Sequence, residues 1–257
     1  MLQWGKEEKG EKGIMKRIAL MVLRCIFFLP FWLFKIKQYG KSEKYSEEEG
    51  YQYVHRLMAK ICRAGRVEID AAGMEKLPKE NGYILFSNHQ GLFDSLIFFS
   101  THERPFGIVI KKEMENVILV KDIIRLVRGQ YIDRKDLRQS MKVINQMAKE
   151  VKEGRNYLIF PEGTRSKKGN TPGEFKAGTF KSATKSKCPI VPVAIMNSFY
   201  PFDSGSIKKT KVFIRYLDPI YYEEYKDMKT KEIAKVVEER ILNAIAETKK
   251  EYGEQIL

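Results

Sequence analysis

Three short stretches hold side chains able to do chemistry: NHQGLFD at 88–94, GQYIDR at 129–134 and FPEGTRS at 160–166. In the first, His89 and Asp94 stand five residues apart. On one regular helix they would be turned by about 140° from each other and would not meet. They meet if His89 lies in a turn after a strand and Asp94 opens the next helix, a turn that Gly91 makes easy. Asp94 would then accept from one imidazole nitrogen and leave the other free to take a proton. The plainer alternative is a helix-capping aspartate beside a satisfied loop histidine. No G-x-S-x-G nucleophile accompanies the pair, and His55 and His102 lack ligand-like spacing, so no metal site is expected. The proton would come from a substrate hydroxyl. FPEGTRS offers backbone N–H groups around Gly163, the Thr164 hydroxyl and the Arg165 guanidinium, a cradle for phosphate. Glu162 there holds Arg165 or binds a substrate hydroxyl. A polar surface turn is the alternative, and no P-loop pattern occurs. In GQYIDR, Arg134 follows a short strand, with Asp133 as its local partner or as half of a surface ion pair of little energetic weight.

The elements that must position these residues alternate. Apolar runs predict strands at 66–70, 83–87, 106–110, 130–132, 156–160, 189–196 and 211–217. Between them, helices are predicted at 94–102, 115–128, 136–153, 178–186 and 230–252. This is an α/β fold: a mostly parallel central sheet flanked by helices. In such folds ligands bind beyond the carboxyl ends of strands, and all three stretches sit there.

Ahead of this lies a different composition. Residues 1–13 read as a charged, disordered lead, 14–65 as a membrane-associating two-helix unit, and 66–257 as the α/β domain. The run IALMVLRCIFFLPFWLF at 18–34 would reach about 26 Å as a helix, short of a ~30 Å hydrocarbon core. Arg24 lies near its middle, Pro30 interrupts it, and basic residues flank both ends. An interfacial or re-entrant anchor fits better than a full span, with Arg17 and Arg24 at headgroup level and the aromatic residues in the acyl zone. A cleaved signal and a buried core helix fit the same run less well. Ser46 is the expected cap of a following helix that folds back beside the anchor.

The 257 residues carry a net charge of +14. That favours anionic partners. Between Arg165 and Lys187, seven basic residues face one acidic residue, Glu174. Three scattered cysteines give no disulfide framework, which points to a reducing compartment.

Taken together the stretches resemble the glycerophospholipid acyltransferases, most closely the 1-acylglycerol-3-phosphate (lysophosphatidic acid) acyltransferases. That family shows NH-x4-D, a G-x-x-x-I-D-R-like block, F-P-E-G-T-R-S and a hydrophobic V-P block in this order. Here they are NHQGLFD, GQYIDR, FPEGTRS and IVPVAI, with IKKEM at 110–114 and FKAGTFKSA at 175–183 also family-like. The resemblance covers about residues 66 to 217. It implies a catalytic dyad of His89 and Asp94, a phosphate-binding Arg134, a substrate block of Glu162, Gly163, Thr164 and Arg165, and a further phosphate contact at Lys112. It implies acyl transfer from acyl-CoA or acyl carrier protein to the 2-hydroxyl of lysophosphatidic acid, with no other cofactor, at the cytoplasmic face of the cell membrane on an anionic phospholipid bilayer. Gln130 and Tyr131 stand where the family often has smaller or more apolar residues. The same motifs admit an acyltransferase for a different headgroup, or a non-catalytic membrane-surface binding protein. Nucleic acid is not an expected partner, because no reading helix or stacking signature is present.

Overall fold

The computed structural model describes residues 15–41, 44–117 and 119–257. The charged lead at 1–13 lies outside the described residues. The chain begins with an elbow: α1, Met15–Cys25, and α2, Leu29–Lys41, bent by 92° where they meet. Pro30 sits in the first turn of α2, where its missing N–H is harmless, whereas further along a helix it would break the ladder. Among the described residues, no single helix is long and apolar enough to cross a membrane. The elbow buries Arg17, Met21, Cys25, Trp32 and Ile36 on one side and exposes Met15, Leu23, Phe27, Phe28, Phe31 and Phe34 on the other.

Arg17 departs from the expected place at headgroup level. It is fully buried and donates to the carbonyls of Gly65 (2.6 Å), Ser206 (2.5 Å) and Lys208 (3.1 Å). A guanidinium in an apolar run is tolerated here because carbonyls from distant loops surround it. Arg24 is exposed and reaches the Ala64 carbonyl at 3.2 Å, at the end of the next helix.

That helix, α3, Glu47–Ala64, is capped by Ser46 in a reciprocal box with Glu49, as its sequence predicts. It touches α2 but packs chiefly on α4, Asp94–Thr101. Seven strands follow: β1 (Val67–Ala72), β2 (Ile84–Ser87), β3 (Phe106–Lys111), β4 (Gln130–Ile132), β5 (Asn156–Ile159), β6 (Ile190–Met196) and β7 (Thr210–Tyr216). They form one sheet in the order β1-β7-β6-β2-β5-β3-β4. Every pair is parallel except β6–β7.

Both faces are covered, which is why the strands read as continuous apolar runs. Alternate side chains go to opposite layers. Leu85, Val191, Val193 and Ile195 pack with α1 to α4. Ile84, Phe86, Ile190, Ala194 and Met196 pack against α6 (Leu137–Lys152), α7 (Lys181–Ser186) and α10 (Thr230–Tyr252). The predicted helix at 115–128 shrinks to α5, Val120–Leu126, because Leu119 adopts φ 72°, and a 3-10 turn at Lys112–Met114 precedes it. Two short helices, α8 (Tyr200–Asp203) and α9 (Tyr222–Tyr225), have no counterpart in the hydrophobic periodicity.

The strand order decides where the chemistry can be. The parallel strands β6, β2, β5, β3 and β4 are consecutive neighbours. Their carboxyl ends therefore form one edge, with the turns after β2 and β5 side by side.

Candidate active site

The turn after β2 is built by polar side chains clamping backbone. Asn88 carries on the sheet by side chain: its Nδ2 donates to Ile195 O and its Oδ1 accepts from Ile195 N, both at 2.9 Å. Gly91 lies against the 198–199 backbone, where an added Cβ would stand 3.1 Å from Phe199 Cα. Asp94 does not cap α4; Phe93 holds that position without a side-chain bond. The Asp94 carboxylate, fully buried, turns back into its own loop. Oδ2 accepts from the N–H of Gln90 (2.7 Å) and Gly91 (3.1 Å) and from His89 Nδ1 at 2.6 Å. A carboxylate can only accept, so in the neutral imidazole the proton belongs on Nδ1 and the lone pair on Nε2. The ring stacks on Phe160, centroids 4.3 Å apart at 20°, and stays 19% exposed. No hydrogen bond or ion pair of the described residues engages Nε2.

The turn after β5 is bolted to the same histidine. Glu162 is buried; its Oε1 accepts from His89 N (2.7 Å) and its Oε2 from Gly173 N (2.8 Å). Burial pushes its carboxyl above the usual range, opposed by those two N–H groups. A Cβ at Gly173 would meet Glu162 Oε2 at 2.6 Å, so a side chain there would push the carboxylate out of this bond. Ser166 N donates to His89 O at 2.9 Å. Between these two bolts lie Gly163, at φ 68°, the exposed Thr164 and the half-buried Arg165. Arg165 makes no ion pair among the described residues, although its charge opposes the upward push of burial on the Asp203 carboxyl.

Arg134 and Lys112 stand farther along the edge. Arg134 is exposed in the turn after β4, and it does not pair with its neighbour: Asp133 lies 3.7 Å from Lys112 instead. With β4 three strands from β2 and ~4.8 Å per strand, Arg134 leaves the sheet about 14 Å from the His89 turn.

Residues 68–196 match the family model described as Acyltransferase. The chain belongs to the acyltransferase family. It is 33% identical over 132 residues to the 1-acyl-sn-glycerol-3-phosphate acyltransferase of Borreliella burgdorferi, a match covering 51% of this chain and 52% of that protein. The chain thus spans about half the length of that relative. The probable 1-acyl-sn-glycerol-3-phosphate acyltransferase of Mycoplasma pneumoniae is 29% identical over 198 residues, covering 72% of this chain and 73% of its own. In fold, this chain is similar to the crystal structure of the 1-acyl-sn-glycerophosphate (LPA) acyltransferase PlsC from Thermotoga maritima. The TM-score is 0.72 at 22% identity, over 91% of this chain and 97% of that one.

Several residues of the candidate site were not singled out by the sequence: Ser198 and Asn170 lie outside the motifs, and Gln90 and Phe160 lie inside them unremarked. Ser198, fully buried after β6, donates its hydroxyl to Asp94 Oδ1. Its N–H donates to Gln90 Oε1 at 2.9 Å, and Gln90 Nε2 donates to Asn170 Oδ1 at 2.9 Å. Phe160 supplies the face under the imidazole. A signal for Ser198 existed: it too follows a strand end, on the strand next to β2. Among the described residues, no group of three or more His, Cys, Asp or Glu side chains is placed to hold a metal ion.

Proposed function

We propose that the protein transfers an acyl chain from an acyl thioester to the 2-hydroxyl of 1-acylglycerol-3-phosphate, giving phosphatidic acid. The observation that carries this reading is the 2.6 Å contact of His89 Nδ1 with a buried, multiply bonded Asp94, beside an unpaired Arg165. His89 Nε2 takes the hydroxyl proton as that oxygen attacks the thioester carbonyl. Asp94 stabilises the imidazolium that forms. The carbon–sulfur bond then breaks, and the imidazolium returns the proton to the departing thiolate. No acyl-enzyme forms. Arg165, Thr164 and the Gly163 turn hold the phosphate, so the hydroxyl is presented at Nε2. Lys112 and Arg134 extend the cationic edge toward the rest of the polar substrate. Glu162 serves the site by fixing the His89 and Gly173 backbones.

The donor is acyl-CoA or acyl carrier protein, both anionic, which suits the +14 charge. The exposed apolar side of the α1–α2 elbow enters the bilayer as an interfacial anchor on the cytoplasmic face. Three free, buried cysteines fit that reducing compartment. The test is purified protein with lysophosphatidic acid and an acyl thioester. Free thiol should appear only when both substrates are present, and His89→Ala should abolish it without changing the unfolding transition. Thiol release without acceptor would point to hydrolysis, and liposome binding without release to a binding protein. Phe27→Asp with Phe31→Asp should leave the fold intact and remove liposome flotation.

A further inference from the structure

Lys176 is a cation to which the proposed mechanism assigns no part, and its backbone is held in place from both sides. Its N–H donates to Pro161 O at 3.0 Å. Its carbonyl accepts from Thr179 N (3.0 Å) and Thr179 Oγ1 (2.7 Å). Phe175 before it is buried in the core, while Lys176 itself is exposed. The side chain lies along Gly163: a Cβ there would be 3.3 Å from Lys176 Nζ, 3.5 Å from Cδ and 3.6 Å from Cε. The ammonium thus rests on the turn that carries Thr164 and Arg165. Among the described residues it makes no ion pair. The one carboxylate of that turn, Glu162, has both oxygens occupied by the N–H groups of His89 and Gly173.

We propose that Lys176 binds the phosphate monoester of the acceptor, and so selects a phosphorylated acceptor over a neutral one. This rests on the lysophosphatidic acid reading. Only C2, C3 and one ester oxygen separate the reacting hydroxyl from phosphorus, so a hydroxyl at His89 Nε2 puts its phosphate close to the imidazole. The cations closest by chain geometry are those of the turn that Glu162 and Ser166 fasten to His89, not Arg134 three strands away. A compact ammonium on a flexible stem can follow a monoester oxygen as charge shifts, while Arg165 holds it in plane.

The experiment is steady-state kinetics of wild type, Lys176→Gln and Lys176→Arg. Each substrate is varied in turn, 1-monoacylglycerol serves as a phosphate-free acceptor, and inorganic phosphate as a competitor. Lys176→Gln should raise KM for lysophosphatidic acid about 10–100-fold and leave KM for acyl-CoA unchanged. Its preference for the phosphorylated acceptor over monoacylglycerol should fall by the same factor, and inhibition by inorganic phosphate should weaken. Lys176→Arg should retain most of the wild-type preference. An unchanged acceptor KM and preference in Lys176→Gln would overturn the proposal. So would a loss confined to the acyl-CoA KM, since the ammonium would then serve a phosphate of the donor. A wild type without acceptor-dependent thiol release would instead strike the acyltransferase reading itself.

Discussion

The two ends of the sheet treat charge in opposite ways. At the amino ends of β2, β3, β4 and β5 a cleft of about 1010 Å³ opens, lined by Asn81, Pro105, Gly129, Gly154 and Arg155. The charges around Arg155 are spent on one another. Arg155 pairs with Glu47 at 2.6 Å and with Glu150 at 3.0 Å, Arg128 lies 3.3 Å from Glu47, and Tyr157 donates its hydroxyl to Glu150. At the carboxyl ends, Arg165, Lys176 and Arg134 make no ion pair among the described residues, and His89 Nε2 is open. A cleft alone does not mark a site: here the ion pairs of Arg155 and Arg128 make a seam joining α3 to the sheet. The turn after β5 keeps Arg165 and Lys176 out of ion pairs, among the described residues, beside the imidazole that Asp94 holds. Pre-paired charge holds a fold together, whereas unpaired charge beside an imidazole is free to meet an anionic ligand.

The largest expected difference between the two ends comes from Asp94→Asn. Four donors converge on this carboxylate. An amide would present its NH2 to some of them and would no longer hold Nδ1–H against an anion. Turnover should fall about 10²–10⁴-fold, read as acceptor-dependent thiol release. Retained turnover would mean that the imidazole works without its orienter. Next in size is the acceptor KM. Arg165→Gln should raise it about 10–100-fold, and Arg134→Gln by less, because Arg134 leaves the sheet three strands away. A reversal of that order would move the phosphate to the β4 end of the edge.

How much of this was legible follows from where each partner comes from. The strands were legible because burial on both faces leaves apolar runs that need no knowledge of their neighbours. The His89–Asp94 contact was legible because it is local: five residues and one glycine. The Ser198–Asp94 contact joins residues over a hundred positions apart, and nothing in either stretch announces the other. Arg17 shows the same limit. Hydropathy sees a charge inside an apolar run, but the carbonyls that satisfy it come from Gly65, Ser206 and Lys208, up to 191 positions away. The helix expected at 115–128 failed for a backbone reason, since the positive φ of Leu119 leaves no mark in the hydrophobic pattern.

The amino end makes the contrary prediction. Arg155→Ala strands Glu47 and Glu150, each left with weaker partners in a half-buried setting. Unfolding in urea should shift by about 1–3 kcal/mol, while KM for both substrates and kcat stay at wild-type values. A kinetic defect without a stability loss would give the cleft a part in the reaction and dissolve the distinction between the two ends.

The smallest effect expected is at Ser198→Ala, and its size is informative because it acts through another residue. Removing the hydroxyl takes one donor from Asp94 Oδ1, but His89 Nδ1 and the N–H groups of Gln90 and Gly91 remain. The carboxylate keeps its place with slightly more freedom, so kcat should fall about 3–10-fold, in line with one hydrogen bond, with both KM values unchanged. The decisive comparison is a double-mutant cycle with Asp94→Asn. If Ser198 works by positioning that carboxylate, its loss should add little once the carboxylate is gone. Additive losses would assign Ser198 to the packing between the 88–94 turn and β6, and the orientation of the dyad would then rest on the backbone N–H groups of its own loop.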